Sequence, residues 1–245
     1  MTPTLAKLLS RAASCLALAA AFPAADSSRA QQAPVTAQVQ TNPSLQSRTA
    51  RGDADVVVWL KALGLPNSDS SSPKRQRLVQ SHKIFEPHLL AVQVGAVVDF
   101  PNRDPFFHNV FSLFEGKRFD LGLYEAGATS SVRFDRVGVS FLFCNIHPEM
   151  SAVVVVVDTP YYGVSDATGR VRIPNVPDGR YEVHYWSERG LPDSLKALTR
   201  VVTISGVARH LGAVQIAENP TFTTQHKNKY GQDYAPPPTT NYPHP

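Results

Sequence analysis

The sequence predicts an all-β protein in which a Greek-key β-sandwich is followed by a smaller β-sandwich. Three observations carry that expectation. Short segments rich in Val and Phe recur along the chain, each bounded by Gly, Pro or Asn, which is the usual signature of strands and their turns. Twenty prolines stand against fourteen glycines, which favours many loops. No segment holds three turns of amphipathic helical periodicity. A hydrophobic share of 42% and a charged share of 18% support a packed core rather than wholesale disorder.

Each piece of the chain has its own justification. Residues 1–30 read as an export signal. Lys7 and Arg11 form a basic start, residues 12–22 are apolar but too short to span a bilayer, and Ser28-Arg29-Ala30 offers a small-x-small cleavage site. Cys15 has Ala12 three positions before it rather than a large aliphatic residue, so a lipid anchor is not expected. Cleavage removes Lys7, Arg11, Arg29 and Asp26, leaving +2 of the formal net charge of +4. Residues 31–52 are polar and read as a flexible leader. A first domain is expected over 53–159, with strands at 55–60, 78–80, 88–94, 97–100, 109–113, 131–134, 139–143 and 152–157. Residues 66–77 form a serine- and proline-rich loop within it. Pro160 marks a boundary. A second domain over 160–217 has strands at 164–166, 171–173, 181–186, 201–204 and 211–216, with Tyr181, Val183 and Tyr185 alternating against Glu182, His184 and Trp186. Residues 218–245 are polar, carry Pro236-Pro237-Pro238, and read as a disordered tail. No basic stripe points to nucleic acid, and no run reaches the roughly 18 apolar residues of a membrane span. The expected location is periplasmic or secreted.

The chemistry concentrates in Cys144-Asn145-Ile146-His147-Pro148-Glu149-Met150. Beyond residue 30, Cys144 and Met150 are the sole cysteine and methionine. One cysteine cannot close an internal disulfide. Taken singly, Cys144 reads as a buried inert thiol, Met150 as core filler and His147 as a loop histidine. Together, on one short loop, they read as metal ligands. A thiolate, an imidazole and a thioether suit copper, whereas zinc takes the first two and seldom the third. A blue-copper site needs a second histidine. His108 is the best placed, because it opens a strand that can neighbour the loop after Phe143. His88 reads as structural. His82, His184, His210, His226 and His244 have no partners at ligand spacing. Phe106, Phe107, Phe111 and Phe114 read as core, yet Phe106, Phe107 and Pro148 adjoin the ligands and suit an apolar docking rim. Glu149 reads as a solvated loop charge, Trp59 and Trp186 as packing.

At these residues the chain resembles the cupredoxins, and among them the amicyanin type. The carrying features are Cys-x-x-His-Pro-x-Met at 144–150, Phe85-x-Pro87, Val94-Gly95, Phe100-x-Asn102 and His108-Asn109-Val110, in order over 84–158. With Phe119-Asp120-Leu121-Gly122 and an appended β domain, the pattern is similar to secreted bacterial proteins of the methylamine-utilisation type. The resemblance implies one type 1 copper ion held by His108, Cys144, His147 and Met150. It also implies that Asn109 ties the two ligand-bearing loops together by hydrogen bonds. Residues 115–127 are an insertion relative to the small carriers. The second domain resembles carboxypeptidase-regulatory-like, transthyretin- or Ig-like β-sandwiches, through Gly169-Arg170-Val171, the 173–179 turn and Tyr181. Its opening strand is not evident, so the module is either truncated or completed by the first domain.

Three function classes compete. The first is a periplasmic electron carrier serving a redox partner protein. The second is a copper-binding or copper-delivery module without electron transfer. The third is an enzyme with Cys144 as nucleophile and His147 as base, but no orienting third residue is evident. Haem attachment through Cys-x-x-Cys-His and multicopper chemistry through His-x-His pairs have no counterpart in the sequence. The expectation is therefore a non-enzymatic copper protein with no catalytic residue.

Overall fold

A computed structural model describes residues 33–42, 54–64, 72–113, 116–223 and 225–234. The expected export signal, Phe114 and most of the expected leader lie outside the described residues. Twelve strands come first: β1 (Val35–Asn42), β2 (Val56–Ala62), β3 (Gln76–Arg77), β4 (Val79–Ser81), β5 (Ile84–Glu86), β6 (Leu89–Gln93), β7 (Ala96–Pro101), β8 (His108–Ser112), β9 (Phe119–Tyr124), β10 (Thr129–Phe134), β11 (Gly138–Phe143) and β12 (Ser151–Val157). Then follow β13 (Tyr162–Val164), β14 (Arg170–Ile173), β15 (Gly179–Ser187), the helix α1 (Pro192–Ala197), β16 (Arg200–Ile204) and β17 (His210–Ala217). The described chain is all-β apart from that one short helix, which opens on a proline whose missing N–H is no loss in a first turn. Among the described residues, no helix is long and apolar enough to cross a membrane.

The first sandwich packs a sheet of order β6-β12-β11-β8-β9 on a sheet of order β10-β7-β3. Phe100, Val98, Val110, Phe134, Leu142 and Val154 fill the space between them, and Cys144 and Met150 belong to the same dry cluster. Two registers position the loop between β11 and β12. The β11–β12 hairpin pairs Gly138 with Val156 and runs to Phe143 opposite Ser151, so the loop springs from a fully paired ladder. Phe143 also pairs with Phe111 of β8, which brings the strand opening at His108 alongside.

Strand β12 explains why the sandwiches belong together. Ala152, Val154 and Val156 face the first core. Val153, Val155 and Val157 point the other way, into a second cluster with Val57, Leu89 and Ala91. Trp59, Tyr162 and Trp186 close that cluster from the far side. A near-continuous valine run is what a strand buried on both faces requires. The second sandwich supplies the cover: a sheet of order β13-β2-β15-β16 over one of order β14-β1-β17. Tyr181, Val183 and Tyr185 of β15 point into its core, as their alternation predicts. At Gly163 of β13 a Cβ would sit 2.5 Å from the Arg172 carbonyl oxygen, so only glycine lets the two layers approach there.

Several expectations need correction. Residues 35–42 are not leader but β1, which pairs antiparallel with β14 and parallel with β17. Its Val35, Ala37 and Val39 alternate inward, a signal too short and too polar on its other face to stand out in sequence. Strand β2 does not belong to the first sandwich. It pairs with β13 and β15, because Val56, Val58 and Leu60 fill the second core while Val57 faces β12. The second sandwich is therefore neither truncated nor completed by the first. It is built from both ends of the chain, with the first sandwich inserted between. Residues 119–124 within the expected insertion form β9, paired with β8. The expected tail is ordered over its described residues: Glu218 is buried and bridges to Gly190, and residues 225–234 pack on the β11–β12 loop.

Burial on both faces of β12 makes a direct prediction. Val154→Ala and Val155→Ala should each cost about 2 kcal/mol in urea unfolding, since each deletes methyl groups from a dry interior. A near-neutral Val155→Ala would mean that this face is wet.

Candidate metal centre

The site is assembled from two loops and a turn. Asn102 folds the segment before β8: its Oδ1 accepts the Asp104 N–H at 3.0 Å and its Nδ2 donates to the Phe106 carbonyl at 2.7 Å. This points the Asp104 carboxylate at the β4–β5 turn, where His82 and Lys83 both adopt positive φ, 55° and 57°. Such a two-residue hairpin turn is expected of Asn and Gly rather than of these residues. Asp104 compensates by accepting both exposed turn N–H groups, from His82 at 2.6 Å and from Lys83 at 3.0 Å.

The same carboxylate accepts His108 Nε2–H at 2.7 Å. Burial by itself pushes the Asp104 carboxyl up, but the bonds from Lys83, His108 and His82 outweigh it and hold the group below its ordinary value. An ionised carboxylate only accepts, so Nε2 carries the proton and Nδ1 is left as a bare lone pair. That lone pair faces Cys144 Sγ at 3.9 Å. On the same side of the sulfur stands His147 Nδ1 at 3.6 Å, its ring centroid 4.9 Å from that of His108. His108 and Cys144 are fully buried, while His147 is half-buried.

The loop holds its own shape. Cys144 N–H donates to the Met150 carbonyl and Met150 N–H to the His147 carbonyl, both at 3.2 Å. Burial pushes the Cys144 thiol up, and the backbone N–H groups of Ile146, Asn109 and His147 partly offset this. Burial holds His147 below the usual histidine value, and the neighbouring Lys83 ammonium acts in the same direction.

The three donor atoms lie within 4.8 Å of one another. A metal–thiolate bond of about 2.3 Å and a metal–imidazole bond of about 2.0 Å, opened to about 120°, place sulfur and nitrogen about 3.7 Å apart. The separations of 3.9 and 3.6 Å bracket that value, so the residues present fit one metal ion. Met150 is fully buried in the same cluster as Cys144.

The remaining expected residues fall as follows. Phe106 and Phe107 are 36% and 55% exposed, and the Phe106 ring lies 5.2 Å from that of His108 and 5.7 Å from that of His147. Pro148, next to His147 in the chain, is exposed. Asn109 meets the Cys144 loop through its backbone rather than its side chain. Its side chain does not reach the Cys144 loop but donates to Asp120 Oδ1 and the Gly122 carbonyl of β9, because β9 pairs alongside at that point. Its backbone N–H is the group that approaches the sulfur. Among the described residues His226 joins no ligand cluster, and its ring stacks on that of Phe143 beside the loop. His88 is structural, bonded to the Ser151 carbonyl and to Glu188. Sequence reasoning missed Asp104, although a carboxylate four residues before a candidate ligand is a signal worth weighing.

Asp104→Ala should destabilise the protein by about 3 kcal/mol, because it strips an acceptor from three buried or turn N–H donors. Asp104→Asn, which keeps one acceptor, should cost less. The carboxyl is depressed in the folded state, so its contribution is complete above its unfolded value of about 3.9. It is lost as pH falls through the lower folded value. Thermal melts across that acid range, wild type against Asp104→Asn, would read it as a shrinking difference.

No family model matches the sequence, and no curated protein is found similar to it. Similarities do appear among solved structures. The chain is similar to a purple cupredoxin from Nitrosopumilus maritimus at 24% identity, over 34% of this chain and all of that one, with a TM-score of 0.31. It is similar to a Cu(I) amicyanin variant at 21% identity, over 41% of this chain and 98% of that one, with a TM-score of 0.32. It is similar to a Cu-containing nitrite reductase from Thermus scotoductus at 19% identity, over 49% of this chain and 28% of that one, with a TM-score of 0.33.

Proposed function

We propose that this protein holds one copper ion at His108, Cys144, His147 and Met150 and passes single electrons between redox partner proteins outside the cytoplasm. The observation that carries this is the convergence of two imidazole Nδ1 atoms on one buried sulfur, 3.9 and 3.6 Å away. A thiol has a single proton and cannot satisfy both nitrogens, whereas a metal ion can. The thiolate and thioether select copper within the common metals. Copper supplies the one-electron change between Cu(I) and Cu(II).

The protein's own residues do the rest. His108, locked by Asp104, keeps one donor fixed and dry. His147 brings a half-buried ring towards the surface, which makes it the port for the electron. Phe106, Phe107 and Pro148 ring that port with apolar surface and keep water from it when a partner docks. The basic and apolar pattern of residues 1–30 supports export to the periplasm or beyond. The reading assigns no catalytic residue. A reactive cysteine needs an exposed, electropositive setting that lowers its pKa, and Cys144 is buried with its thiol pushed up.

The copper-loaded, oxidised protein should absorb intensely in the visible through thiolate-to-Cu(II) charge transfer, and Cys144→Ser should abolish that band. A one-to-one copper complex without the band would support the alternative, a copper-holding or copper-delivery module. Met150→Leu separates ligand from filler. If the thioether is a weak axial donor, its loss removes more stabilisation from Cu(II) than from Cu(I), and the potential rises while the colour stays. A tenfold change in the ratio of binding constants is about 59 mV for one electron, and a rise of that order is expected. An unchanged potential would make Met150 core packing alone.

A further inference from the structure

Residues 225–234 make a set of contacts that their polar composition does not announce. Tyr234 Oη donates to the Cys144 carbonyl at 2.7 Å. The His226 ring stacks on Phe143, the last residue of β11, with centroids 4.1 Å apart, and the Tyr234 ring meets His226 edge-on. Lys229 N–H donates to Asn145 Oδ1 at 3.0 Å. Lys229 Nζ reaches Asp120 Oδ2 at 2.7 Å. Between these contacts the segment braces itself: Asn228 Oδ1 accepts the N–H groups of Tyr230 and Gln232, at 2.9 and 3.0 Å.

These bonds form a continuous path. Asn109, next to His108, donates to Asp120 Oδ1 at 2.7 Å. Asp120 accepts Lys229, and Lys229 donates to Asn145, next to Cys144. The two ligand-bearing elements are thus joined through a third segment far away in the chain. The Cys144 peptide is held from both sides, by Met150 through its N–H and by Tyr234 through its carbonyl.

We propose that residues 225–234 are a strap that completes the metal centre, with Tyr234, Lys229 and Asp120 as positioning residues that lock the Cys144–Met150 loop to β8 and β9. The inference rests on the copper reading for its role but not for its geometry. Groups beyond the ligands set their orientation and the retention of the metal. A loop held only by its own two backbone bonds opens more readily than one pinned at two further points, Cys144 and Asn145.

The test uses the full chain with Tyr234→Phe plus Lys229→Met, and Lys227→Met as a control. Lys227 lies on the same segment, is 62% exposed and contacts only Asp233 at 3.9 Å among the described ion pairs. In the metal-free protein, amide hydrogen exchange over residues 144–150 should quicken about tenfold in the double variant and not in the control. That is the effect of losing bonds worth about 1.4 kcal/mol together. In the copper-loaded protein, release of copper to a chelator should quicken by a similar factor. Faster loop exchange supports the strap even if wild-type protein binds no copper, an outcome that would sink the copper reading alone. Equal loop exchange in the double variant and the control overturns the strap. Faster loop exchange with unchanged copper release overturns its role in the metal centre.

Discussion

The hydrogen bond from His108 Nε2 to the Asp104 carboxylate is the constraint on which the site depends. It decides which nitrogen of His108 carries a proton, and so which one is free to face the sulfur. The same carboxylate holds a turn of two non-glycine residues at positive φ, where the backbone is strained. A buried anion is costly unless its lone pairs are used, and Asp104 uses them on three donors at once. Removing it would release the turn, the histidine and the loop before β8 together. That coupling makes the donor geometry a property of the folded scaffold, present before any metal arrives.

Beneath the loop lies a stack of dry layers. Strand β12 is covered by the first core on one face and by the second sandwich on the other. Ligand-bearing loops need rigid footings, because a shift of even an ångström spoils a coordination site. The β11–β12 ladder ends at Phe143 and Ser151, immediately outside the loop, and residues of the second sandwich cover the outer face of β12. The surface above the loop is different in kind. Phe106, Phe107 and Pro148 are exposed there, and the Phe106 ring lies 5.7 Å from that of the half-buried His147, with Lys83 over the Phe106 ring at 5.7 Å.

The sequence by itself determined the donor types and the strand pattern. Cys144, His147 and Met150 sit on one short loop, so their chemistry is local and needs no pairing information. His108 was legible because it opens an apolar strand, and the valine run over 153–157 because continuous hydrophobicity marks a doubly buried strand. Tertiary structure decided the rest. Strand β1 gains its identity from β14 and β17, its side chain Thr36 meeting His210 across 174 positions of chain. Strand β2 reads equally well in either sandwich until its two faces find their cores. Asp104 and the strap are polar residues in polar stretches, and a local pattern cannot tell a solvated carboxylate or tyrosine from one that holds a ligand in place. Hydrophobic periodicity records which side of a strand leaves water, whereas hydrogen-bond partners are fixed by direction and distance, which exist only once the layers have packed.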